Sequence, residues 1–320
     1  MKIFITGGAG FIGSHIVDGL VLLGHEVKVF DNFSSGNLSN LNESKDKIQF
    51  VQGDILNRSL LAESLRGSDY CFHFAAAVGV EKILNDPIGS IKTNIHGTEN
   101  ILDLCSEMQI PVLLASTSEI YGKNSSGLLN EDSDRIVGSP LLARWTYSDA
   151  KALDEAYAIA LASKEGLQVK IIRYFNTVGP RQTSAYGMVI PRFFEAALNG
   201  SPLFVHGDGS QQRIFCHVSD AVSGTLALWA SDRGYGEAFN LGGIEEISIL
   251  DLANRIISLT NSRSMIEFIP YTELRKKGFE DMKRRLPDTS KLRNLTNWNP
   301  TKSLEEILSS YYHSLRARDN

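Results

Sequence analysis

Ile3-Phe4-Ile5-Thr6-Gly7-Gly8-Ala9-Gly10-Phe11-Ile12-Gly13 is a short apolar run that breaks into spaced glycines. Residues 14–23 then read as a helix, with Ile16, Val17 and Leu20 on one side and Gly24 as a stop. Val27-Lys28-Val29-Phe30 is a second strand, and it ends at Asp31. Strand, glycine turn, helix, strand and acid is the order that binds a dinucleotide. Gly7 permits the tight turn, Gly10 lets backbone approach a pyrophosphate, and Gly13 lets helix and strand pack closely. The phosphates would sit on the helix N-terminus beside Phe11 and Ile12, where free N–H groups and the helix dipole favour negative charge. Asp31 is placed to accept from ribose hydroxyls and would repel a 2′-phosphate, so the expected cofactor is NAD rather than NADP. Asn32 opens a polar loop, residues 32–40, expected over the adenosine end.

The alternation continues outward from this unit. Residues 48–51 lead to Gly53-Asp54-Ile55, and residues 70–74 lead to Ala75-Ala76-Ala77, small enough to leave room for a flat cofactor. A helix is expected over about 91–108, with Ile91, Ile95, Leu102 and Cys105 inward and Asn94 near its start. The apolar run 112–115 ends abruptly in Ser116-Thr117-Ser118-Glu119, as a buried strand does when it delivers polar groups to the carboxyl edge of a sheet. Asp54, Ile55, Ala75, Ala76, Asn94 and Ser116 are therefore expected along the cofactor. Residues 124–142 have loop composition, 147–165 an alanine-rich helical pattern, and 169–174 another strand. Strands alternating with helices predict an α/β fold, a doubly wound parallel (Rossmann) sheet. Beyond Pro180 the alternation weakens, which predicts a smaller α/β domain, mainly residues 176–320, capping a first domain of residues 1–175. A segment near 215–242 is expected to return to the sheet.

Bulk properties exclude several function classes. The chain has 320 residues and a formal net charge of −5, so no electrostatic case exists for nucleic acid or an anionic membrane as partner. Three cysteines are scattered without disulfide or zinc spacing, and the histidines show no metal-ligand pattern, so no metal is expected. Apolar runs stay short of a membrane span, and a cytoplasmic protein is expected.

Tyr147 and Lys151 are spaced i, i+4, on one helical face. A tyrosine of pKa ~10 is a poor base at neutral pH, but an ammonium and a cationic nicotinamide nearby both favour the phenolate. Thr117 can add a hydroxyl to the same substrate oxygen. These residues, with Thr6 to Gly13, residues 176–180 and Arg284-Arg285-Leu286-Pro287-Asp288, resemble an extended short-chain dehydrogenase/reductase of the nucleotide-sugar branch along nearly the whole chain. That group contains UDP-sugar epimerases, dehydratases and decarboxylases. The resemblance implies NAD, a nucleotide diphosphate sugar (a UDP-sugar first), and the triad Thr117, Tyr147 and Lys151.

Ser118 stands where the dehydratases carry the aspartate that protonates a leaving hydroxyl. Glu119 and the run Arg144-Trp145-Thr146-Tyr147 are similar to UDP-glucuronate decarboxylases. The implied reaction is decarboxylation of UDP-glucuronate to UDP-xylose or its 4-keto form, with Glu119 helping to reprotonate C5, directly or through water. The alternatives are a UDP-sugar 4-epimerase and a non-catalytic NAD-binding scaffold. Expected substrate contacts are Ser118, Arg144, Asn176, Val189, Arg213 and Arg285, with Phe204 either stacked on the base or in the core. The helices over 91–108 and 147–165 are expected to pair across a two-fold axis as a homodimer.

Overall fold

In the computed structural model, residues 1–79, 85–184, 188–276 and 280–317 are described. β1 (Lys2–Thr6) is buried at four of its five positions, as befits a strand covered on both faces. It feeds α1 (Phe11–Leu22), followed by β2 (Glu26–Asp31), β3 (Ile48–Gln52), α2 (Arg58–Leu65) and β4 (Tyr70–His73). Then come α3 (Pro87–Glu107), β5 (Val112–Thr117), α4 (Thr146–Glu165) and β6 (Val169–Tyr174). The chain continues through β7 (Thr177–Val178), α5 (Val189–Leu198), β8 (Leu203–His206), β9 (Gln212–Ile214), β10 (Cys216–His217) and α6 (Val218–Ala230). β11 (Glu237–Leu241) returns to the main sheet, pairing in parallel with β6.

The main sheet has seven parallel strands in the order β11-β6-β5-β4-β1-β2-β3. Its winding reverses between β1 and β4, which opens a crevice at the carboxyl ends of those strands. One face is packed by α1 and α6 through Ile16, Val17, Leu20 and Leu228, the other by α2, α3 and α4 through Leu61, Ile101, Leu104 and Ala158. The remaining elements are β12 (Glu246–Ser248), α7 (Ile249–Thr260), β13 (Ile266–Ile269), α8 (Tyr271–Lys276), β14 (Arg284–Arg285), α9 (Ser290–Thr296) and α10 (Leu304–Arg316). A separate apolar cluster joins α5, α7 and α10 through Phe194, Leu252, Ile256 and Tyr311. β14 lies parallel to β9 with Arg285 opposite Arg213, which carries the C-terminal arginine to the sheet edge.

Two expectations are corrected. The α3 helix begins at Pro87, not near 91, because Asp86 caps it by accepting from Gly89 N–H and proline suits the first helical position. Ile91 does not face inward: the buried stripe of α3 is Ser90, Asn94, Gly97, Thr98 and Ile101, and Ile91 at its margin is 37% exposed. Among the described residues no helix is long and apolar enough to cross a membrane.

Candidate active site

The carboxyl end of β5 sets the site. Thr117 accepts from Glu119 N–H at 3.2 Å, which turns the chain into a single 3-10 turn over Ser118–Tyr121. Ser148, one residue beyond Tyr147, donates to the Glu119 carbonyl at 2.8 Å and so fastens the start of α4 to that turn. Tyr147 is thereby brought into hydrogen-bond contact with Thr117. Lys151, one helical turn on, is 2% exposed at its side chain and pairs with Asp154 at 3.1 Å. Burial, the Glu119 carboxylate and Asp154 together push the Tyr147 phenol well above its ordinary value, against the Thr117 hydrogen bond.

Glu119 sits between two guanidinium groups, Arg144 from the turn before α4 and Arg285 from β14. Burial opposes its charge, but the two arginines prevail and hold its carboxyl down at about 2. This corrects the expectation of a direct proton donor, because an ionised carboxylate has no proton to give. A role through an ordered water or through the arginines fits. Both guanidiniums are nearly buried, and among the described residues the Nε–H of each has no partner. Both arginines line the cleft, and their guanidiniums carry one more positive charge than Glu119 neutralises, which favours an anionic ligand there. Asn176, expected as a substrate contact, donates to the Ile214 carbonyl at 2.7 Å and accepts from Arg285 at 2.8 Å. It lines the cleft but acts on Arg285.

A cleft of about 360 Å³ runs from the glycine turn past Thr117 and Tyr147 to Arg285. Residues 3–242 match the NAD dependent epimerase/dehydratase family. The chain belongs to that family. A UDP-N-acetyl-alpha-D-glucosaminuronate decarboxylase of Bacillus cytotoxicus is 40% identical over 320 residues, covering 100% of this chain and 99% of that protein. A UDP-glucuronic acid decarboxylase 1 of Danio rerio is 38% identical over 308 residues, covering 96% of this chain and 71% of that one. The crystal structure of a UDP-glucuronic acid 4-epimerase from Bacillus cereus, in complex with UDP-glucuronic acid and NAD, superposes with a TM-score of 0.88 at 29% identity, covering 99% of this chain and 100% of that one.

NAD is the cofactor of this epimerase/dehydratase chain, and the residues present fit it. Gly7 has φ +70°, and a Cβ there would lie 2.5 Å from Ala75 N. Gly10 caps α1 with no side-chain hydrogen bond, so the first-turn N–H groups face the cleft uncapped. Asp31, at the end of β2, accepts from Ala9 N–H at 2.9 Å and Phe33 N–H at 2.8 Å, which fixes it at the cleft wall with lone pairs to spare. A methyl on Gly13 would come within 2.2 Å of the Gly7 carbonyl oxygen. Gly13→Ala should therefore weaken NAD binding by about tenfold or more, roughly 1.4 kcal/mol. The nucleotide released from purified, denatured protein measures it, and wild-type content would contradict it.

Most of the residues singled out in the sequence line this cleft, including Phe11, Ile12, Asn32, Ile55, Ala76 and Ser118. Five do not. Asp54 accepts from Asn32 at 2.9 Å beside the cleft, and Asn94 bridges the N–H and carbonyl of Ala77 from behind it. Arg213 pairs with Asp281 at 2.6 Å. Val189 opens α5 and packs on the apolar cluster there, while its neighbour Met188 reaches the cleft. Phe204 does not line the cleft and, at 42% exposed, is not a core residue, because strand alternation turns Leu203 and Val205 inward instead. Arg181 and Gln182, just past Pro180, were missed and do line it.

Proposed function

We propose that this chain is an NAD-dependent nucleotide-sugar decarboxylase that converts UDP-glucuronate, through a 4-keto intermediate, to UDP-xylose or the 4-ketopentose. The observation that carries this is the Arg144–Glu119–Arg285 cluster beside Thr117 and Tyr147. With two guanidiniums on one carboxylate it leaves one positive charge uncompensated beside the redox residues, which suits a substrate that carries a sugar carboxylate in addition to its diphosphate. The identities to two uronate decarboxylases support the same substrate class.

Bound NAD would supply the acceptor for the C4 hydride and, once reduced, its donor. Tyr147, as phenolate, takes the proton of the C4 hydroxyl while Lys151 favours the charged form. The 4-keto uronate so formed is a β-keto acid. Its carboxylate leaves as carbon dioxide, and the electron pair passes through C5 to the C4 oxygen. Tyr147, now protonated, and Thr117 donate hydrogen bonds to that oxygen. Arg144 and Arg285 hold the anionic groups of the substrate, and Glu119 fixes the two guanidiniums. C5 is then protonated from water in the cleft. Carbon dioxide collected from carboxyl-labelled UDP-glucuronate tests the proposal; label retained in the nucleotide would overturn it.

A UDP-uronate 4-epimerase is the second reading, favoured by the likeness to the Bacillus cereus enzyme. It shares the redox half-reaction and differs in returning the hydride to the other face of the sugar. The same proposal divides the chain into a cofactor-binding part, residues 1–175, and a nucleotide-sugar-binding part, mainly 176–320, working in the cytoplasm.

Association as a homodimer is supported by Ile88 (67% exposed) and Ile91 on α3 and Leu153 (52%) and Ile159 on α4, apolar side chains on two helices packed against each other. Sedimentation velocity should find a dimer that Leu153→Glu turns into a monomer. A wild-type monomer at all concentrations would contradict this.

A further inference from the structure

Behind Lys151 lies a buried polar chain that the reaction above does not use. Asp154 is 3% exposed and pairs with Lys151 at 3.1 Å. Thr98 on α3 donates to the same Asp154 oxygen at 3.1 Å. His73, at the end of β4, places Nε2 3.1 Å from Thr98 Oγ1 and Nδ1 2.7 Å from Thr6 Oγ1, at the end of β1. Because the Thr98 proton is committed to Asp154, His73 Nε2 must be the donor to Thr98, and Nδ1 accepts from Thr6. Burial, with Lys151 nearby, pushes the His73 imidazole well below its usual range, so it is neutral. Side chains from β1, β4 and α3 thus form one hydrogen-bonded chain that ends on the Asp154 carboxylate, and that carboxylate holds the lysine.

The charged groups facing Tyr147 and Lys151 can be counted by element. Glu119 follows β5, Arg144 precedes α4, and Arg285 comes from β14. Lys151 and Asp154 lie on α4 itself, and the adjoining Glu155 is bound to Arg173 of β6 at 2.7 Å. Arg144 and Arg285 are committed to Glu119, and Arg173 to Glu155. Among the described residues Lys151 is the cation left to act on Tyr147, and Asp154 offsets it.

We propose that Asp154 is a positioning residue for Lys151: it anchors the ammonium and attenuates its charge, so that Tyr147 keeps its proton until the positive charge of an oxidised nicotinamide enters the site. The proposal rests on the reading of Tyr147 as the base. It makes phenolate formation conditional on the oxidised cofactor, rather than a standing property of the lysine.

The test follows phenolate ultraviolet absorption of the NAD-loaded protein during pH titration, with Tyr147→Phe subtracted to isolate Tyr147. Asp154→Asn keeps an oxygen for Lys151 but removes the charge. The Tyr147 midpoint should fall by about one pH unit, a tenfold change in its ionisation constant, and the acid limb of kcat/KM should move with it. An unchanged or higher midpoint overturns the proposal. Asp154→Asn leaves Lys151 buried without a counter-charge and can destabilise the fold, so a second comparison uses wild-type protein only. Loaded with NADH, it should titrate Tyr147 at least about one unit higher than when loaded with NAD; equal midpoints overturn the proposal. If instead Tyr147→Phe turns over nucleotide sugars at the wild-type rate, the base assignment itself has failed, a result distinct from either.

Discussion

Tyr147→Phe should lose about 10³-fold in kcat/KM on UDP-glucuronate, within the range that a positioned proton-transfer group contributes. Only one oxygen is removed, from a side chain that touches Thr117 and lines the cleft, so NAD content and melting temperature should stay near wild type. The loss should fall on kcat, because the hydroxyl acts where charge develops in the transition state. Steady-state kinetics on protein of verified NAD content measures it. Wild-type turnover would remove Tyr147 from the mechanism and reopen the scaffold reading.

Glu119→Gln should be the most destabilising change in the site. It leaves Arg144 and Arg285, each under a tenth exposed, facing each other without a counter-charge, and breaking such a buried pair costs about 3–5 kcal/mol. The pH dependence carries the same signature. The Glu119 carboxyl is depressed to about 2 from an ordinary value near 4.5, so its contribution is fully present above that ordinary value and is lost as pH falls toward 2. Thermal melting of wild type should therefore drop across pH 4.5 to 2 by an amount on the order of 3 kcal/mol, and that component should be missing from the Gln variant. Turnover should also fall, since the guanidiniums lose the carboxylate that spaces them. A variant with wild-type melting at neutral pH would show that the cluster does not hold the site together.

The parts of this structure that the sequence disclosed are those whose partners are close along the chain. The glycine turn, Asp31 at the end of the second strand and the Tyr147/Lys151 spacing are local patterns, each ambiguous alone and made specific by the strands and helices that flank it. Thr117 was legible because an apolar strand that stops in hydroxyls has one place to put them. The Glu119 pairings were not, since Arg285 reaches it only through the pairing of β14 with β9. A lone strand-end carboxylate reads as an acid, whereas two guanidiniums make it a fixed anion.

Asn176 lines the cleft, yet its amide direction depends on a carbonyl thirty-eight residues away. Ile91 failed because the first turns of α3 bury small and polar residues, Ser90, Asn94 and Gly97, whereas Leu102 and Cys105 face inward as expected. Phe204 failed as a core residue because alternation along β8 turns Leu203 and Val205 inward. The Asp154 chain left a trace in hindsight, two adjacent acids, Asp154 and Glu155, on an alanine-rich face that is buried. Buried acids demand partners, but only the fold shows that these are Lys151 and Thr98 for one and Ser116 and Arg173 for the other.

Mass spectrometry of the nucleotide product decides among the reactions this site can run. NAD-loaded protein would be given UDP-glucuronate, its N-acetylated C2 counterpart and the corresponding neutral hexoses. The account predicts that the uronates lose one carbon dioxide, giving the pentose or its 4-keto form, while the hexoses are left untouched. A uronate product of unchanged mass but altered retention, or loss of water from a hexose, would contradict it.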